Sequence, residues 1–350
     1  MRLRLVALLL LLAALGFSGC SPLNRVRAAA YDRRGMTAYN AGQLDEAVSS
    51  YSKAIALDPA SATVRDHRGM AYAKQGLLDQ AIADFDRALG TDPNDTVALD
   101  NRGVAYGRKG AVDQAIADFD RALTLNPKDT TALASRGAAY ARKGMKEQAM
   151  ADFDQAISLN PKDPVTFNGR GQAYLNASQY TEAIADFGRA IQLNPNYGQA
   201  YNNRGLAYHD TGDQEHALVD LDQAISLEPK SYVAYNNRCL VQIKRKNYDQ
   251  AVSDCTWSIG LNANYAMAWN NRGYARRLQG NLPAAIDDYD QAIRLNPNDH
   301  VAHLNRGMAH RLSGHNDQAV ADFRQVLALQ PTSKEADSAR TELQQLGVTP

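Results

Sequence analysis

The chain is poor in the features that usually announce a chemistry. Among 350 residues there are three cysteines and two tryptophans, and 38 basic residues balance 38 acidic ones. With no net charge and no basic stripe, nothing is there to track a phosphate backbone, which argues against nucleic acid. Nor does a polybasic patch offer a membrane grip. The longest apolar run, LVALLLLLAALGF, has 13 residues, short of the ~20 needed to cross a bilayer.

Catalytic patterns are equally sparse. GRGQAY (169–174) contains Gly-x-Gly but sits in a helix opened by proline, not after a strand, so a phosphate loop is not expected. Carboxylates such as DDYD (287–290) recur with the helical period and read as a solvated face. His300 and His303 could share an ion, but His310 stands about 10 Å further along the helix axis, and no cysteine or carboxylate completes a ligand set. No Ser/His/Asp grouping stands out. The expectation is no enzyme, no metal and no cofactor.

What the chain does have is a period. Proline returns every 34 residues at Pro59, Pro93, Pro127, Pro161, Pro195, Pro229, Pro297 and Pro331, with Ala263 the one exception. Glycine keeps the same interval from Gly35 to Gly307, broken only by Cys239, and an alanine recurs from Ala47 to Ala319. Nine units therefore run without insertion over residues 28–333, and position 1 of the first is Ala28. One unit (63–95) holds two amphipathic segments of three to four turns flanking KQG. Gly76 suits a left-handed helix end, Pro93 stops the second helix, and Asp95 caps the next. Pro164 and Pro283 fall in first turns, where the missing N–H costs nothing.

The glycine, alanine and proline positions, with Tyr72 and Phe85 in the aromatic slots, resemble the tetratricopeptide repeat over 306 of the 350 residues. The resemblance implies an all-α, right-handed superhelical solenoid of nine helix–turn–helix units with no central pocket. KEADSARTELQQL (334–346) would close it as a capping helix, Ala336, Ala339, Leu343 and Leu346 on one face, followed by a short tail to 350. One departure is systematic. Position 7, usually leucine in that family, is arginine in all nine units, and position 23 is aspartate in eight, Ser50 being the exception. The two positions lie symmetrically about the turn and read as structural ion pairs.

Residues 1–19 combine a basic start, MRLR, with the short apolar run, the pattern of a secretory signal. FSGC (17–20) resembles the lipobox of bacterial lipoproteins, which implies acylation of Cys20, a tether over 20–27 and an envelope location facing the periplasm. Phe17 departs from the usual leucine, and an uncleaved anchor is the alternative. Ser21 is not the aspartate that commonly retains such proteins at the inner membrane, which favours the outer one. In that oxidising compartment, Cys239 and Cys255, at positions 8 and 24 of one unit, are candidates for a disulfide. Two small buried thiols are the alternative. The same unit has Lys246, Ser258 and Ala263 in place of the turn glycine, the packing alanine and the closing proline that most of the others have.

In tetratricopeptide arrays the first helix of each unit lines the concave face. Position 2 carries no cation here, so a carboxylate clamp is not expected. Position 6 instead carries Asn101, Asn203, Asn237, Asn271 and Asn305, and position 5 adds Asn202, Asn236 and Asn270. This is similar to the asparagine ladder of O-linked N-acetylglucosamine transferase, and implies amides that hold a peptide backbone, since each offers a donor and an acceptor. Leu206, Leu240, Ile243, Tyr274 and Met308 would add apolar contacts. The alternative is that the position-6 amides bond neighbouring helices. The expected role is a lipid-anchored scaffold or adaptor for extended segments of envelope proteins, similar to outer-membrane tetratricopeptide lipoproteins; a pilotin-like assembly factor for a secretion or pilus machine is the alternative.

Overall fold

One turn of the repeat shows why the chain folds back on itself every half unit. In the computed structural model, which describes residues 21–349, Ser61 caps helix Ala62–Gln75 by accepting from the Val64 N–H. Gly76 ends that helix at φ 83°, and the Leu77 N–H donates back to the Tyr72 carbonyl. The partner helix Leu78–Thr91 follows at once. Beyond it the Asp92 carboxylate accepts from the Asn94 N–H at 3.0 Å, and Asp95 accepts from Val97 and Ala98 to start the next helix. Caps and turn glycine thus satisfy the backbone groups that helix ends would otherwise leave bare.

Repeating this builds nineteen helices and no strand among the described residues. They fall into two compact bodies, Met1–Lys162 and Asp163–Pro350. The first holds α1 (Pro22–Asn40), α2 (Leu44–Leu57), α3 (Ala62–Gln75), α4 (Leu78–Thr91), α5 (Thr96–Lys109), α6 (Val112–Leu125), α7 (Thr130–Lys143) and α8 (Lys146–Leu159). The second holds α9 (Pro164–Asn176), α10 (Tyr180–Leu193), α11 (Gly198–Thr211), α12 (Gln214–Leu227), α13 (Tyr232–Lys244), α14 (Tyr248–Leu261), α15 (Ala266–Leu278), α16 (Leu282–Leu295), α17 (His300–Leu312), α18 (Asn316–Leu329) and α19 (Lys334–Gln345). In each body, helices pair as antiparallel hairpins, and each hairpin packs on the next. The architecture is the all-α helix-hairpin stack that the sequence predicts, closed by α19 with Ala336, Ala339 and Leu343 buried.

Residues 22–27, expected as tether, extend the first helix instead. Ser21 caps it and Pro22 occupies its first turn, so the local sequence starts a helix six residues before the repeat begins. The expected signal and Cys20 lie outside the described residues.

The core is built from very small and very large side chains. A Cβ placed on Gly69 would lie 2.5 Å from Cε1 of Phe85, and Gly35, Gly103 and Gly171 meet Tyr51, Phe119 and Phe187 in the same way. Buried alanines at both helix faces let the hairpins approach closely. In the seventh unit the notch and its ring are exchanged for a covalent link. Cys239 and Cys255 are fully buried and joined as a disulfide, with Cα atoms 5.6 Å apart, inside the span such a bridge requires. The turn of that hairpin carries Lys246 at φ 64°, and that of the fifth carries Ser178 at φ 57°, both left-handed without being glycine.

Candidate functional site: the first-helix face

The position-7 arginines form the frame on which this face is hung. Nε and Nη2 of Arg102 donate to Asp118 at 2.8 and 2.6 Å, and the same fork joins Arg68 to Asp84, Arg136 to Asp152, Arg204 to Asp220 and Arg306 to Asp322. The ion pairs across each hairpin are those expected from positions 7 and 23. The carboxylates are buried and the guanidiniums only slightly exposed, which makes these pairs stiff and costly to break. In the first unit, where Ser50 replaces aspartate, Arg34 turns to Glu46 at 2.7 Å.

A second contact of the same arginines was not legible in the repeat. Nη1 of Arg102 donates to Asp86, at position 25 of the preceding unit, and Arg136–Asp120, Arg238–Asp222 and Arg306–Asp290 repeat it. Each guanidinium therefore closes its own hairpin and ties it to the one before. Tyr72, Tyr106, Tyr140 and Tyr208 lie beneath these guanidiniums, ring centroids 5.7 to 5.9 Å away.

The asparagines fall where the spacing placed them, on successive first helices, and they bond one another. Nδ2 of Asn237 donates to Oδ1 of Asn202 at 3.0 Å, Asn271 to Asn236 at 2.9 Å, and Asn305 to Asn270 at 3.0 Å. Asn203 donates to Asn168, a rung that the sequence reading did not include. All but Asn305 are buried. Position 6 of one unit thus bonds position 5 of the unit before, the arrangement that the alternative reading describes. In the first body the acceptors are carboxylates: Asp32 meets His67 at 2.8 Å and Asp66 takes the Asn101 amide. For Asp100 the next unit has Ser135 at position 6 instead of an amide, and Oδ1 of Asp100 is buried without a partner among the described residues. Burial, with Asp129 and Asp118 nearby, pushes this carboxyl up to about 7.

The five apolar candidates divide. Ile243 is buried against the disulfide, with Tyr274 packed on the same cluster. Leu206 leans on the Leu175–Phe187 cluster and Met308 on the Leu304–Leu343 cluster. Leu240 is half-buried. More open are residues that entered the sequence argument only through the missing cation: at position 2, Val165 and Met267 are 58% and 51% exposed. Beside them a cavity of about 270 Å³ opens at Gln199, Asn202, Asn203 and Val233.

The histidines are engaged in packing. His303 contacts Asp322 at 3.1 Å and the Pro297 carbonyl at 3.2 Å, and His300 lies 3.6 Å from Glu335. Among the described residues no group of three or more metal-ligating side chains comes together, and no helix is long and apolar enough to cross a membrane.

Comparison with known families and structures agrees with this geometry. Several tetratricopeptide-repeat models match, together covering most of the chain, including residues 33–96, 101–129, 130–163, 198–231, 266–299 and 300–333. No curated protein matches. A tetratricopeptide repeat protein from Parabacteroides merdae is 21% identical, covering 71% of this chain and 98% of its own, with a TM-score of 0.59. PilW, a type IV pilus biogenesis factor, is 19% identical over 60% of this chain and 97% of its own, TM-score 0.55. Human IFIT1 bound to m7Gppp-AAAA is 15% identical over 91% and 81%, TM-score 0.66.

Proposed function

Because the chain belongs to the tetratricopeptide-repeat proteins, whose arrays serve as protein–protein interaction scaffolds, we propose that it is a lipid-anchored adaptor of a bacterial envelope. It holds an extended segment of a partner along its first-helix face. One observation carries the reading: in the second body each first helix presents one position-2 side chain (Val165, Gln199, Val233, Met267, Val301) beside the amide ladder. Successive first helices lie roughly 10 Å apart, a spacing of about three extended residues. A strand laid across them meets one small apolar or amide contact per repeat. Asn202, Asn203, Asn236, Asn237, Asn270, Asn271 and Asn305 form the polar floor, their first duty being to each other; Leu240, Leu206, Tyr274 and Met308 flank it.

Anchoring is through acylated Cys20 after removal of residues 1–19, at the periplasmic face of the outer membrane. The basic start, the short apolar run and FSGC support this. Palmitate label that appears in the wild type and disappears in Cys20→Ala is the expected result; label absent from both would overturn it. The reading is non-catalytic, and zero net charge gives no ground for carrying the RNA of IFIT1 over to this chain.

The likeness to PilW keeps one other reading in view, an assembly factor for a pilus or secretion machine. Crosslinking in intact membranes followed by mass spectrometry decides between them. Enzymes or structural proteins of the cell wall among the captured partners support the adaptor, secretin or pilus subunits support the assembly factor, and capture of neither removes both.

A further inference from the structure

The sixth unit differs from its neighbours at two positions that touch. At position 31, Asp92, Asn126, Asn160, Asn194, Asn262 and Asn296 each accept a hydrogen bond from the N–H two residues on, at 3.0 to 3.3 Å. This short side chain closes the loop between units. The sixth unit has Glu228 there, one methylene too long for that turn, and its exposed carboxylate makes no hydrogen bond or ion pair among the described residues. It folds instead against Gly198, position 1 of the same unit. A Cβ on Gly198 would lie 2.7 Å from Oε1 and 2.9 Å from Cδ of Glu228. Gly198 is the first residue of α11, and its backbone is not left-handed. A side chain at 198 would push the exposed glutamate arm out of the position it takes here.

The two residues border the cavity of about 270 Å³ whose other walls are Gln199, Asn202, Asn203, Ala224, Ser231 and Val233. One wall carries a carboxylate, and the floor is two buried amides already bonded to each other, Asn202 Nδ2 to Asn203 Oδ1 at 3.2 Å. No cation lines it. Lys230, two residues beyond Glu228, is exposed and forms no ion pair. The local field is negative: Glu228 and Asp163 both act, after burial, to push the neighbouring Tyr197 hydroxyl up. The cavity opens beside Gln199 and Val233, the position-2 residues over which a bound segment would run.

We propose that this cavity is a subsite for a cationic side chain, the guanidinium or ammonium of an arginine or lysine in the bound segment. Glu228 supplies the countercharge, and Gln199 with the Asn202–Asn203 pair supplies acceptor oxygens for the remaining N–H groups. The assignment rests on the reading of the first-helix face as a peptide-binding surface, and gives that surface a side-chain preference. An exposed carboxylate without a protein partner among the described residues, set against a glycine at the rim of a cavity, is what singles out this unit.

Random peptides displayed on phage and panned against the full chain in detergent test it. The wild type should enrich arginine or lysine at one register, and Glu228→Gln and Gly198→Ala should each lose that enrichment while keeping the wild-type melting temperature. Peptides recovered with no basic preference, or with a preference that survives Glu228→Gln, would overturn the subsite and leave the binding surface standing. If the wild type recovers no peptide, the surface itself is refuted, and the cavity is judged alone by titrating N-acetyl-arginine amide against N-acetyl-citrulline amide. Shifts of the Asn202 and Asn203 side-chain amides with the arginine compound only, weakened about tenfold by Glu228→Gln as expected for loss of a charge-assisted bond, support it. Equal response to both compounds, or to neither, rejects it.

Discussion

Asn271 reaches 2.9 Å across to Asn236 on the preceding first helix, and that hydrogen bond is out of contact with water. Asn236 is fully buried, its own Nδ2 has no partner, and Asn271 provides the acceptor's only matched donor. A ladder built this way holds helices before it holds a ligand. Asn271→Ala should therefore lower stability by about 1–3 kcal/mol, the cost of stranding a buried acceptor, read as an earlier urea midpoint. An unchanged midpoint would free the amide for a purely ligand-binding role.

The first body contains the unfinished rung. Asp100, raised to about 7, has an unfolded value near 3.9. An acid whose folded value is the higher one takes up a proton on folding, so its ionisation costs stability. The cost grows from about pH 4 to about pH 7 and is complete above that window. Ser135→Asn should supply the missing donor, as Asn101 does for Asp66, and bring the Asp100 carboxyl down. We expect a gain of about 1 kcal/mol at pH 8 and none at pH 4. Melts at the two values decide it, and equal gains at both would refute the assignment.

The disulfide occupies the space that a glycine and a ring fill in most other units. Cys239→Gly together with Cys255→Phe should rebuild that notch, as Gly171 and Phe187 form it. Under a reductant, the wild type should lose on the order of 3 kcal/mol, while the double variant should melt at the same temperature with or without it. Reductant-sensitivity of the double variant would mean the effect lies elsewhere.

Lys246 and Ser178 sit in left-handed turns that the seven other hairpins assign to glycine. Lys246→Gly should stabilise by about 1 kcal/mol, the strain of such a conformation for a residue with a Cβ. Slower hydrogen exchange of α13 and α14 would register it, and unchanged or faster exchange would contradict it.

Much of this was legible because a repeat is its own control. Nine copies of arginine at position 7 and eight of aspartate at position 23 pointed to their pairing, and two cysteines level across one hairpin made a disulfide a candidate. Contacts between consecutive units were harder to read. The Arg102–Asp86 bond joins positions 7 and 25 of different repeats, and position 25 varies among aspartate, serine, threonine, glycine and arginine. The asparagines were found, but one sequence cannot say whether an amide faces a ligand or the next helix; only the offset between stacked helices, which brings position 6 over position 5, settles where Nδ2 points. Gly198 gave no signal of its own in the sequence, because its contact with Glu228 spans thirty positions of one unit.

That variation at position 25 grades the seams between repeats. Within the second body, Asp222 and Asp290 give Arg238 and Arg306 a carboxylate across the seam. Thr256 gives Arg272 only a hydroxyl. Arg204 finds at that point Gly188, which has no side chain at all. Stretched lengthwise between an anchor and a load, this body would not yield evenly like a spring. Its seams would meet the load with unequal side-chain ties, none from Gly188 where α10 meets α11, a hydroxyl at Thr256 and a carboxylate at Asp222 and Asp290, so that the chain's resistance to tension is tuned one residue per repeat.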